Sequence, residues 1–203
     1  MPGLFITLEG IVGAGKSTHL EWLVKYFNAR NRPALATREP GGTPLGDAVR
    51  TLLLRSEHPI HPETEALLLF AARREHLVRV VVPTLAEGTI VVCDRFTDAT
   101  FAYQGSGRGV SRDRLQALEQ WVQGDLQPNL TLFFDVPVDV GRQRAARERA
   151  PDRFERESAE FFQRVRAGYL DRAARAPMRF RIIDASRPLS EVQKELEQII
   201  SMY

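Results

Sequence analysis

The 203-residue chain predicts one α/β domain, spanning 1–203, built on a five-stranded parallel sheet flanked by helices. Two observations carry this. Five short β-rich runs, at 4–8, 33–37, 89–93, 130–135 and 180–184, alternate with stretches whose apolar residues recur at helical spacing. Strands separated by helices are joined by crossovers and therefore lie parallel, with helices on both faces. A composition 43% hydrophobic, without repeat, low-complexity tract or linker, is enough for a substantial core.

Taken in order, the first strand leads straight into Gly10-Ile11-Val12-Gly13-Ala14-Gly15-Lys16-Ser17-Thr18, the phosphate-loop pattern G-x-x-x-x-G-K-[ST]. Glycines there let the backbone approach an anion, so that successive N–H groups and the positive end of the next helix face phosphate oxygens. Lys16 can reach the outer phosphates, and the Ser17 hydroxyl can join the shell of Mg²⁺, which prefers oxygen ligands. Leu20, Leu23, Val24 and Phe27 make the helix that follows amphipathic.

In a parallel sheet, ligands bind at the carboxyl ends of the strands, so chemistry is expected in the loops there. After the second strand comes Thr37-Arg38-Glu39-Pro40-Gly41-Gly42-Thr43, and 68–76 reads as an ordinary amphipathic helix. At the end of the third strand, Asp94 stands where phosphate-loop enzymes keep a carboxylate for Mg²⁺, and Arg95 can hold an acceptor phosphate bidentately. The run 101–109 offers aromatic, amide and glycine groups suited to packing against a base. The arginine-dense segment 141–156 reads as a flexible lid, about 142–156, able to bring guanidinium groups onto a transferring phosphoryl. The last helix places Leu189, Val192, Leu196, Ile199 and Ile200 on one face.

A net charge of only +2, from 28 Lys and Arg against 26 Asp and Glu, excludes a general nucleic-acid or membrane surface, and no apolar run reaches membrane-spanning length. The lone Cys93 cannot form an intrachain disulfide, and four scattered histidines give no metal-ligand spacing. A cytoplasmic protein acting on small molecules is expected.

Together, Glu9 through Ser17, Thr37 through Thr43, Phe70-Ala71-Ala72-Arg73, Cys93 through Phe96, Ala102-Tyr103-Gln104-Gly105 with Gly107-Arg108-Gly109, and Asp125 through Leu130 leading to Asp135 resemble the bacterial thymidylate kinases. The resemblance runs from Gly3 to about Leu196. It implies a nucleoside monophosphate kinase fold with a mobile lid and a Mg²⁺-dependent homodimer that transfers the ATP γ-phosphate to dTMP. By matched position, Arg50 and Arg95 would hold the dTMP phosphate and Arg73 the carbonyl edge of thymine. Thr100 and Gln104 would line the base, Tyr103 would disfavour ribose, and Glu39 would lie near metal and acceptor. The phosphate loop has no arginine, so the chain is similar to the lid-arginine type, with Arg147, Arg149 and Arg153 as catalytic candidates. The segment 184–187 resembles the loop against which adenine packs.

The chain departs from that family at two places. Val12 stands where an acidic residue usually contacts the sugar 3′-hydroxyl. The aromatic that stacks on thymine commonly lies four residues before the arginine, where this chain has Leu69; either Phe70 turns in, or the arginine partner is Arg74. Two rivals follow from the residues alone. A deoxynucleoside kinase would use Glu39 as a base toward a hydroxyl. A nucleotide switch would leave the strand-end arginines idle, and no Asn-Lys-x-Asp string is present.

Overall fold

A computed structural model describes residues 3–148 and 152–203. Five parallel strands, β1 (Phe5–Glu9), β2 (Ala34–Arg38), β3 (Ile90–Asp94), β4 (Leu130–Asp135) and β5 (Phe180–Asp184), form one sheet in the order β2-β3-β1-β4-β5. The first three run one residue past the expected ends, because the register pairs Leu8 with Asp94 and Arg38 with Asp94. Charged residues thus close the ladder at the edge where loops begin.

Alternate strand residues feed opposite faces, as a period of two requires. Ile6, Leu8, Ile90 and Val92 join one core with helices α1 (Lys16–Asn28), α8 (Ala159–Arg175) and α9 (Leu189–Ile200), while Phe5, Val91 and Cys93 join another with α3 (Pro62–His76) and α6 (Arg112–Gln123). The remaining helices are α2 (Pro44–Arg55), α4 (Val82–Ala86), α5 (Thr97–Thr100) and α7 (Val138–Glu148). π-Helical stretches at Leu77–Val81 and Phe101–Gly107 continue α3 and α5. In α1, Leu23 and Phe27 are fully buried, as its spacing predicts. In α9, Val192, Leu196, Ile199 and Ile200 are buried, but Leu189 is 49% exposed: as the first residue of the helix it overhangs the core. No helix among the described residues is long and apolar enough to cross a membrane.

Behind the sheet ends, Asp98 is 1% exposed and accepts from Arg172 Nε at 2.6 Å and from an Arg179 Nη at 2.6 Å. This ties α5 to α8 and to the entry of β5. Burial pushes the Asp98 pKa up, yet the hydrogen bonds and charges of Arg179 and Arg172 outweigh it and hold it below the usual carboxylate range. Removing one partner of such a buried pair leaves charge uncompensated. Asp98→Asn is therefore expected to lower unfolding stability by about 3 kcal/mol in urea titrations near neutral pH. Because the folded-state pKa is depressed, that contribution is complete above the unfolded pKa and fades as pH falls through the folded value. The gap between variant and native protein should narrow in acid; a constant gap would refute the linkage.

Candidate active site

A cavity of about 350 Å³ opens where β1, β2 and β3 end. Its floor is the phosphate loop between β1 and α1. Gly10, Gly13 and Gly15 take φ of 147°, 69° and 81°, a region that L side chains rarely enter. At Gly13 a Cβ would also lie 2.0 Å from the Gly141 carbonyl oxygen. Ile11 and Ala14 turn into the core, each 1% exposed, so only their backbone N–H groups can serve an anion. Val12, Gly13, Lys16 and Ser17 line the cavity; Thr18 is exposed outside it.

Lys16 Nζ donates to the carbonyls of Gly10 at 3.3 Å and Ile11 at 3.0 Å. Burial, then the nearby Arg95 charge, lowers its pKa to about 8 against the pull of Asp94, Glu9 and Glu155. Arg95 follows β3 with φ of 69°, unusual outside glycine, and its N–H is held by Leu8 O at 2.9 Å. Its guanidinium donates to Gly10 O and Tyr169 Oη, both at 3.0 Å, and to Tyr103 Oη at 3.2 Å. Beneath it, Glu9 accepts from Phe96 N at 2.7 Å and Tyr169 Oη at 2.9 Å; burial, then Asp98, raises its pKa to about 8. Asp94 lines the cavity with Oδ1 buried and without a hydrogen-bond partner among the described residues.

On the opposite wall, Arg73 is 2% exposed. Its Nε donates to Glu39 Oε2 at 2.6 Å and one Nη to Thr100 Oγ1 at 3.0 Å, while the other Nη is buried with no partner among the described residues. The second oxygen of Glu39 meets His76 Nδ1 at 3.0 Å, and His76 Nε2 meets Thr37 Oγ1 at 2.7 Å. Arg50 donates to Pro40 O at 3.2 Å, and Thr100, Tyr103 and Gln104 complete this side.

Neither alternative about α3 holds as stated. Arg73 faces the cavity while Arg74 donates to Val122 O, away from it; yet Phe70 does not turn in. Phe70 is 1% exposed in the second core, with its ring 4.7 Å from the Arg73 guanidinium carbon, and the cavity wall there is Leu69. Of the three candidate lid arginines, the structure describes two. Arg153 turns away from the cavity, donating from Nε to Leu53 O at 2.7 Å with an Nη 2.7 Å from the buried Glu65 carboxylate, whose charge draws it there. Arg147 is exposed on α7, and Arg149 lies outside the described residues. Arg142 and Arg156 instead line a second cavity, about 490 Å³, beside Val12. Arg144 donates to Ala185 O at 2.9 Å, bridging α7 to the 184–187 loop. Sequence reasoning did not single out Leu53, Asp152, Phe154 or Phe162, which also line the main cavity. No local signal marks them, since tertiary packing brings them there.

The thymidylate kinase family profile matches residues 8–196. The chain belongs to the thymidylate kinase family. It is 59% identical over 201 residues to the thymidylate kinase of Cupriavidus metallidurans, covering 99% of both chains. It is 58% identical over 198 residues to that of Nitrosomonas europaea, covering 98% of this chain and 92% of the other. The crystal structure of thymidylate kinase from Ehrlichia chaffeensis superposes with a TM-score of 0.80 at 34% identity, covering 98% and 99% of the two chains. As a thymidylate kinase family member, the chain is an ATP-dependent phosphotransferase of the nucleoside monophosphate kinase class.

The lowered Lys16 pKa gives a test of the phosphate loop. A triphosphate beside Lys16 favours its charged form, so ATP binding should take up a proton above pH 8 and little near neutrality. Calorimetric titrations in buffers of different ionisation enthalpy measure that uptake. ATP affinity should fall as pH rises past about 8, and Lys16→Arg should abolish both effects. Equal uptake in native and variant protein would place the titrating group elsewhere.

Proposed function

We propose that this enzyme transfers the γ-phosphoryl group of ATP to dTMP, giving dTDP and ADP, with Mg²⁺, as a cytoplasmic homodimer. The observation that carries the reading is that one cavity unites Lys16 of the phosphate loop with Arg50, Arg95 and Arg73, whose second Nη has no partner among the described residues. Lys16 and the loop N–H groups would bind the donor's outer phosphates. Arg95 and Arg50 would hold the acceptor phosphate, already an anion near neutral pH, so positioning and charge compensation matter more than a general base. That Arg73 N–H suits a base carbonyl; Thr100 and Gln104 would flank it, with Tyr103 near the sugar 2′ position.

The residues present fit Mg²⁺. The buried Oδ1 of Asp94, without a hydrogen-bond partner among the described residues, and the Ser17 hydroxyl are hard oxygen donors on the same cavity. When bound, the ion would offset charge on the β- and γ-phosphates. The deoxynucleoside kinase rival is disfavoured because Glu39 has both oxygens engaged by Arg73 and His76, leaving it poorly placed as a base. A dimer is supported by exposed Leu52, Leu67, Val78 and Trp121 on adjoining helical segments, apolar surface that a second copy would cover. Sedimentation equilibrium reads this directly, and a monomer at micromolar concentration would reject it.

Measuring ADP release from ATP with thymidine and with each nucleoside monophosphate in turn should give the highest kcat/KM with dTMP; preference for thymidine over dTMP would overturn the assignment. In the same assay Arg95→Ala should raise KM for dTMP far more than KM for ATP. Equal weakening would move Arg95 to the donor side.

Val12 lines both cavities and carries no acceptor, so a carboxylate bond to the 3′-hydroxyl, typically roughly 1.5–3 kcal/mol, cannot form there. Native enzyme should accept 3′-deoxy-dTMP with little loss of kcat/KM, and Val12→Asp should widen the preference for dTMP. Strong rejection of the deoxy analogue by native enzyme would mean that another wall carboxylate, Glu39 or Glu155, reads the hydroxyl.

A further inference from the structure

Glu65 lies on α3 with 0% exposure, outside the lining of the cavity. Its Oε2 accepts from Gln104 Nε2 at 3.1 Å and from Arg108 Nε at 3.3 Å, and its Oε1 lies 2.7 Å from Arg153. Arg108 in turn pairs with Glu157 at 2.8 Å. Two guanidinium groups from different parts of the chain therefore converge on one buried carboxylate, and guanidinium groups can only donate to it.

An ionised carboxylate can only accept hydrogen bonds. Gln104 must then turn its NH₂ toward Glu65, which leaves its amide oxygen for the cavity that Gln104 lines. Without that neighbour the two ends of the amide would be nearly equivalent in shape. On the same wall, Arg73 offers a buried N–H without a partner among the described residues. A donor beside an acceptor complements a ring carbonyl beside a ring N–H, the pattern of thymine and uracil. Cytosine presents the reverse, an amino group beside an unprotonated nitrogen. A flipped Gln104 would set two donors side by side and lose this discrimination.

We propose that Glu65 is a positioning residue that fixes the Gln104 amide with its oxygen toward the base, so that a group remote from substrate selects the imide edge over the amino-pyrimidine edge. This rests on the reading of Gln104 as a base-lining residue. In Glu65→Gln the new amide can donate as well as accept, which frees Gln104 to flip. With dTMP and dCMP compared at saturating ATP, the kcat/KM ratio should fall by about tenfold through a higher KM for dTMP, with KM for ATP unchanged. A purely structural role would instead move both KM values and kcat together. A ratio unchanged in Glu65→Gln but lowered in Gln104→Leu would overturn the positioning role alone; a ratio unchanged in both would overturn the reading of Gln104 as well. Should Glu65→Gln fail to fold, native protein still decides the matter. In its dTMP complex, the Gln104 side-chain amide protons should show NOEs to the Glu65 methylene protons. NOEs to the nucleotide, with none to Glu65, would overturn the proposal.

Discussion

The site depends on two parallel strands that end side by side. The β1–β3 register sets Leu8 against Asp94, and the chain beyond is laced shut: Arg95 N to Leu8 O, Phe96 N to the Glu9 carboxylate, Glu39 N to Asp94 O. Three strand ends are thereby joined into one rim. The loop after β1 supplies Lys16, the turn after β3 supplies Asp94 and Arg95, and the turn after β2 supplies Glu39, the anchor of Arg73. A slip of one residue in that pairing would exchange the faces of the strand and scatter these groups.

The cavity is electrically divided. Lys16, Arg50 and Arg95 spend their hydrogen bonds on backbone carbonyls and tyrosine hydroxyls, partners that carry no net charge. Asp94 and Glu9 act on that charge through space rather than as hydrogen-bond partners, which suits a region that gathers phosphates. Arg73 is different, because its Nε meets the Glu39 carboxylate. That end of the cavity is close to neutral and offers directed hydrogen bonds, the condition for recognising an uncharged base. Phosphate and base are thus sorted along the cavity by whether the arginine hydrogen-bonds neutral groups, as Arg95 does, or a carboxylate, as Arg73 does.

Much of this was legible in the sequence. Alternating periodicities predict the sheet and both helical layers, and the glycine spacing predicts the phosphate loop. What the sequence withheld is the phase of side chains around their own elements. Leu69 and Phe70 lie four and three residues before Arg73, so both neighbour it on the helix surface, and spacing alone cannot say which shares its cavity. The phase is set by Glu39, distant in sequence, pulling on Arg73 Nε. Arg153 is a similar case. Composition made it one of many surface arginines, whereas a buried carboxylate nearly ninety residues earlier, in Glu65, decides where it points. The run 101–109 follows the same rule, since its π-helical winding rotates Tyr103 and Gln104 off the phase of an ordinary helix.

The contact between the phosphate loop and α7 restricts how this enzyme can vary. A Cβ at Gly13 would sit 2.0 Å from the Gly141 carbonyl oxygen, and a Cβ at Gly141 would sit 2.6 Å from that of Val12. Backbone meets backbone at both places, so no repacking of a neighbouring side chain makes room, and enlarging one partner cannot compensate for enlarging the other. The two positions are closed to substitution together. An inhibitor that drew its affinity from the loop backbone at Val12 and Gly13, which line the main cavity, would grip a part of the protein with little freedom to mutate away from it.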